Sequence, residues 1–364
     1  MTVNELTSAI EQKAPAALKE DYDNVGLLVG NGETEISGVL ITLDVTEAVI
    51  EEAIRFNCNL IVSHHPLLFK SLKRITGENY IQKCVIKAIK NDLCIYAAHT
   101  NLDNVLDGVN GKIADKLGLV NRSILQPKSG NLLKLVTFVP ENYKNQLLNA
   151  LFEAGAGSIG NYDWCSFQSK GTGTFRANEE AHPFVGEINK LHKEPEIRIE
   201  VILPDYLISK IVAALYQSHP YEEPAFDLIP LSNNWNRVGS GIIGELENEM
   251  EELDFLNLLK QQFSLQTLRH TNLRNKKIKK VAVCGGSGSE FLQDAKACKA
   301  DVFVSADFKY HDFFDAENEI LIADIGHYES EQFTKEIFYE IITKKNPNFA
   351  VRISDVKTNP INYL

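Results

Sequence analysis

The chain has 364 residues, 44% of them hydrophobic, with 37 Lys plus Arg against 49 Asp plus Glu for a formal charge of −12. That length suits two or three domains with a real core, and a field of that sign repels phosphate backbones and anionic headgroups, so nucleic acid and membrane surfaces are poor partners. The opening residues lack a secretory apolar core and no uninterrupted apolar run reaches about 18 residues, while the six cysteines include no C-x-x-C pair, so the expectation is a cytoplasmic protein with reduced thiols.

In chain order, apolar residues at helical spacing predict an amphipathic helix over Val3–Leu18, followed by a turn and a short strand ending at Gly30. Gly38–Asp44 is a dense β-branched run, Thr46–Phe56 has a helical pattern, and Asn59–Ser63 is a second apolar run, together a β-α-β unit. Continuous apolar strands of this kind suit a parallel sheet buried on both faces. A further strand is expected over Leu93–Ala98.

The middle of the chain differs. Leu133–Pro140 reads as a strand, Tyr143–Ala154 as a helix, Trp164–Phe167 and Gly171–Phe175 as hairpin strands, Glu196–Leu203 as a strand, Tyr206–Ser218 as a helix and Ala225–Pro230 as a strand. This approximates β-α-β-β-α-β, a ferredoxin-like module inserted over residues 130–232. The first grammar then returns: Lys280–Gly285 and Asp301–Ser305 are strands flanking a helix at Ser289–Ala297, and Ile320–Ile325 is another strand. The expected fold is therefore α/β, with two duplicated lobes, 1–129 and 233–364, around an inserted α+β domain.

The chemistry gathers at strand ends. Ser63-His64-His65-Pro66 closes one predicted strand, and two adjacent imidazoles can serve one site only where the strand has ended, which Pro66 marks. His99 and Asp103 follow the strand at 93–98, and His327 and Glu331 follow the strand at 320–325, each pair four residues apart. Any one of these is equally a hydrogen-bonded or helix-cap feature. Together they place imidazole and carboxylate, without thiolate, at one edge of an open sheet, a donor set suited to zinc, iron, manganese, nickel or cobalt. In the equivalent position of the second half, Ser305-Ala-Asp-Phe-Lys-Tyr-His-Asp312 offers Asp307 and Lys309 for substrate and His311 for proton transfer. Cys284-Gly-Gly-Ser-Gly-Ser289 lacks any specific nucleotide motif and reads as a tight turn, and His219-Pro-Tyr-Glu-Glu-Pro224 as a structural turn.

Asp23-Asn-Val-Gly-Leu-Leu-Val-Gly30, Ser63-His-His-Pro66, His99-Thr-Asn-Leu-Asp103, Gly239-Ser-Gly-Ile-Ile-Gly-Glu-Leu246, Ser305–Asp312 and Gly326-His-Tyr-Glu-Ser-Glu331 resemble the Nif-three-like family, whose members are commonly named GTP cyclohydrolase 1 type 2 homologs. His219–Pro224 resembles the CutA-like, PII-like insertion of its longer members. The resemblance implies two divalent ions held by His64, His65, Asp103, His327 and Glu331 inside a toroidal homohexamer. It also implies hydrolytic opening of the imidazole ring of GTP or a related nucleotide, with His311 or His99 moving protons. A non-enzymatic metal-binding regulatory or trafficking hexamer and a two-metal phosphoesterase are the alternatives.

Overall fold

A computed structural model describes all residues, Met1–Leu364. The chain divides into two compact units, one made of Met1–Pro127 with Arg237–Leu364 and the other of Lys128–Asn236. No helix is long and apolar enough to cross a membrane.

The first unit holds two sheets built alike. In one, Cys94–Ala97, Leu60–Ser63 and Val39–Thr42 lie side by side in parallel, and Gly26–Val29 pairs antiparallel on the outer edge of Cys94–Ala97. In the other, Leu321–Asp324, Val302–Ala306 and Lys277–Ser287 repeat that parallel order, with Arg269–His270 antiparallel on the outer edge. Val39–Thr42, Leu60–Ser63, Cys94–Ala97, Val302–Ala306 and Leu321–Asp324 are buried at every residue, as strands covered on both faces require. The halves also exchange edges. Val351–Ile353 joins the first sheet beside Val39–Thr42, and Val120–Ser129 joins the second beside Asn234–Glu251. Each sheet thus borrows a strand from the other half of the sequence.

The opening helix is shorter than its apolar spacing predicts. It runs Val3–Lys13, started by a capping box between Thr2 and Glu5, and stops before Pro15, which has no N–H to continue the ladder. Ala16–Leu18 is a separate 3₁₀ turn.

The second unit contains, in order, the strand Leu132–Pro140, helix Lys144–Glu153, strands Phe167–Phe175 and His192–Pro204, helix Ile208–Ser218 and strand Phe226–Leu231. The strands form one antiparallel sheet in the order fourth, first, third, second. Phe167–Phe175 is one continuous strand where two short hairpin strands were expected, and its partner is His192–Pro204. Residues 168–170, which lie between the two expected strands, pair in the same ladder. Both helices pack on one face, where Ile197, Ile199, Val201, Leu147, Leu151, Ile211 and Leu215 form a buried core.

Candidate metal centre

Strands of both sheets deliver polar residues to one place in the first unit. His64 and His65 follow Leu60–Ser63 directly, and His99 and the short helix Thr100–Asp103 follow Cys94–Ala97. From the other sheet, His327 and Glu331 lie on the helix His327–Glu331 just beyond Leu321–Asp324. Gly326 caps that helix with a positive φ of 89°, and its N–H donates to buried Asp324, 3.2 Å away.

Each imidazole is held from behind through Nδ1. His64 Nδ1 lies 2.9 Å from the Ala98 carbonyl, His65 Nδ1 2.7 Å from Asp44 Oδ1, His99 Nδ1 2.9 Å from Asp23 Oδ1 and His327 Nδ1 2.7 Å from Asp307 Oδ2. Acceptors in those positions keep the proton on Nδ1, so Nε2 is the atom offered to the site. Asp44 is in turn held by Thr358, whose hydroxyl donates to Oδ2 at 2.6 Å.

The Nε2 atoms converge on Glu331. Its Oε2 lies 2.9 Å from His65 Nε2 and 3.1 Å from His327 Nε2, while its Oε1 lies 3.8 Å from His64 Nε2. Asp103 Oδ1 is 3.5 Å from His64 Nε2. Three overlapping groups have ligand atoms close enough together to hold a metal ion: His65, His327 and Glu331; His64, Asp103 and Glu331; and His64, His65 and His99.

The residues fit a cation on their own chemistry. His64 Nε2 and Asp103 Oδ1 are buried without a hydrogen-bond partner, a state that costs about 1–3 kcal/mol for each group and that a divalent ion relieves for both. His65 Nε2 and His327 Nε2 face each other at 3.3 Å, close enough that two lone pairs repel unless a cation or proton lies between them. Burial works against a charged His65 and His327, but hydrogen bonds to Asp44 and Glu331 hold His65 at about 9, and those to Asp307 and Glu331 hold His327 at about 11. Burial pushes the Asp103 carboxyl up to about 7, with the Glu331 charge adding to the rise. Glu331 stays well below the ordinary carboxylate range despite burial, because three imidazoles surround it. Protons and divalent ions compete for these atoms. The buried Cys284 thiol is pushed up by its burial and lies outside all three groups.

The structure thus brings together His64, His65, His99, Asp103, His327 and Glu331. Asp307, expected at substrate, has a φ of 58° and lies against His327 Nδ1, whose ring it orients. Lys309 is exposed at the start of the 3₁₀ turn Tyr310–Ala316. His311 in that turn packs against the rings of Tyr310 and Phe314 and makes no hydrogen bond or ion pair to the cluster. The glycine-rich stretch after Cys284 is no simple turn. The strand runs on to Ser287, and the Gly286 N–H donates to Ser330 Oγ at 2.9 Å, bringing bare backbone against Glu331. Asp23 and Asp44 were not singled out as site residues, although Asp44 lies two residues past the strand Val39–Thr42, at the edge where His64 and His65 emerge.

The chain is similar to proteins called GTP cyclohydrolase 1 type 2 homolog. It is 38% identical to one from Staphylococcus epidermidis over 368 residues, covering all of both, and 42% identical to one from Halalkalibacterium halodurans over 359 residues, covering 97% of this chain and 96% of that one. Among solved structures, a Bacillus cereus protein related to NIF3 superposes with a TM-score of 0.87 at 38% identity, covering 100% of this chain and 99% of the other. Staphylococcus aureus protein SA1388 superposes with a TM-score of 0.79 at 32% identity and the same coverage. With residues 1–360 matching Duf34/NIF3 (NGG1p interacting factor 3) as a whole, the chain belongs to that family.

Proposed function

We propose that the protein is a dinuclear metal-dependent hydrolase, with GTP or a related purine nucleotide as its leading substrate. One observation carries the dinuclear reading: the two carboxylate oxygens of Glu331 face different imidazoles, Oε2 His65 and His327, and Oε1 His64, whose group also includes Asp103. Divalent ions held there supply Lewis acidity and a source of hydroxide near neutral pH. The chain's own residues do the rest. Asp44, Asp307 and the Ala98 carbonyl fix the ligand rings. His99, anchored through Nδ1 by Asp23, keeps Nε2 for moving a proton and is better placed for this than His311, its ring centroid lying 5.1 Å from that of His64. Lys309 is a cation available to an anionic substrate on the exposed loop after Asp307. The substrate class follows the names of the relatives, and the β-α-β-β-α-β order of the second unit supports reading it as a ferredoxin-like module of the CutA or PII kind.

The test is metal analysis of anaerobically purified protein, followed by an assay of formate release from GTP by loaded, chelated and Glu331→Gln protein. Formate from the loaded sample alone supports the reading. Equal traces from all three remove it. If the loaded protein is also inert towards a panel of phosphate esters, a non-enzymatic metal-binding role takes its place. A homohexamer accompanies the proposal, supported by large exposed rings such as Tyr310 and Phe314, and a native mass of one subunit would reject it.

A further inference from the structure

The Lys128–Asn236 unit has chemistry of its own. Its sheet is covered by helices on the face of Ile197, Ile199 and Val201, so the alternate residues Glu196, Arg198 and Glu200 point to the other face. There the structure holds a cavity of about 830 Å³ whose lining includes Phe175, Phe184, Glu196 and Tyr221. Glu196 is only 9% exposed. Its Oε1 accepts the Tyr221 hydroxyl at 2.8 Å. Gly173 makes room for it, since a Cβ at that position would stand 2.1 Å from Oε2. The rings of Phe175 and Phe184 lie 6.1 and 6.2 Å from that of Tyr221, centroid to centroid.

The Tyr221 hydroxyl gives Glu196 a neutral donor but no compensating charge, a buried carboxylate gains from a cationic partner, and the cations nearby are already matched. Arg198 pairs with Glu200 at 2.9 Å and Lys170 with Glu141 at 3.1 Å. Arg176 is the one lining cation without an ion pair, against the further carboxylates of Glu180, Glu222 and Glu223 in the same wall. That field selects a cation with several charges. The aromatic faces add attraction for alkylammonium groups and cover the methylenes between them.

We propose that this cavity binds an aliphatic polyamine, one ammonium seated on Glu196 and the alkyl body against Phe175, Phe184 and Tyr221. A nucleotide would bring its phosphates to a wall in which carboxylates outnumber free cations. The proposal does not depend on the metal centre.

Spermidine titrated calorimetrically into the full-length protein at moderate salt tests it. Expected are saturable binding, at least tenfold weakening by Glu196→Gln and by Gly173→Ala, and a severalfold weakening by Phe184→Leu, whose exposed side chain makes the variant safe for folding. Chelated and metal-loaded protein should bind equally. Equal affinity in wild type, Glu196→Gln and Phe184→Leu would show only attraction to an acidic surface and overturn the proposal. So would the absence of spermidine binding, or binding of GTP that is lost in Glu196→Gln. If Glu196→Gln does not fold, unchanged affinity in Phe184→Leu is sufficient to reject it.

Discussion

Replacing Gly286 by alanine should disable the metal centre while leaving the fold standing. The residue has a φ of 62°, and an added Cβ would fall 2.3 Å from Glu331 Oε1 and 3.3 Å from His327 Cε1. To recover ordinary van der Waals contact the Glu331 carboxylate has to retreat by roughly 1 Å. Metal–ligand distances tolerate about 0.2 Å, so the retreat is several times what a coordination sphere absorbs. The left-handed backbone costs alanine about 1–2 kcal/mol, which in a protein of this size lowers Tm by only a few degrees. The two effects therefore separate. Mass-spectrometric metal content per subunit after loading and gel filtration should fall by half or more, while far-ultraviolet circular dichroism and the melting curve stay close to wild type. Full metal content with unaltered affinity would refute the reasoning, because it would mean that Glu331 can move without consequence for binding.

Asp44→Asn and Asp307→Asn should each weaken metal binding about 10–100-fold, the usual effect of losing a carboxylate behind a ligand histidine, as measured by competition with a chromogenic chelator; Thr358→Val, one step further back, should weaken it less. Glu331→Gln should lower the occupancy of both proposed ions, whereas His64→Ala should empty mainly the one shared with Asp103, and anomalous scattering at the metal edge distinguishes the outcomes. Joining Pro127 to Arg237 through a short Gly/Ser linker should leave a soluble protein that still loads metal, since Gly239 already packs against Gln126 and Pro127; an insoluble or metal-free product would make the second unit integral to the first. His99→Ala should depress any metal-dependent turnover more than His311→Ala does, and the reverse order in steady-state rates would return the proton-transfer role to His311.

The candidate ligands could be found in the sequence because each follows a strand that local pattern identifies. His64 and His65 abut an apolar run, and the spacings 99/103 and 327/331 fit a single helical turn. What supports them was harder to see. Asp23 and His99 are 76 residues apart, Asp44 and Thr358 are 314 apart, and no periodicity links such partners. The bond between Asp307 and His327, 20 residues apart, likewise has no local signal beside Lys309 and His311. The strand exchange was hidden for a related reason: only tertiary pairing assigns Val120–Ser129 and Val351–Ile353 each to the sheet of the other half. Local punctuation was underweighted as well, the apolar spacing to Leu18 overriding the stop signal of Pro15.

The strand exchange sets an order of events during synthesis. Asp44 and His65 leave the ribosome early, but the strand Val351–Ile353 that flanks Val39–Thr42 and the hydroxyl of Thr358 that steadies Asp44 are translated some three hundred residues later. His327 and Glu331 come late as well. A nascent chain stalled in the second sheet owns only the His64, His65, His99 and Asp103 side of the centre. Only the His64, His65 and His99 group precedes the late residues, so the two groups that share Glu331 are complete only after the helix His327–Glu331 is translated, and a product terminated before it should lose the proposed dinuclear site while keeping at most that one group.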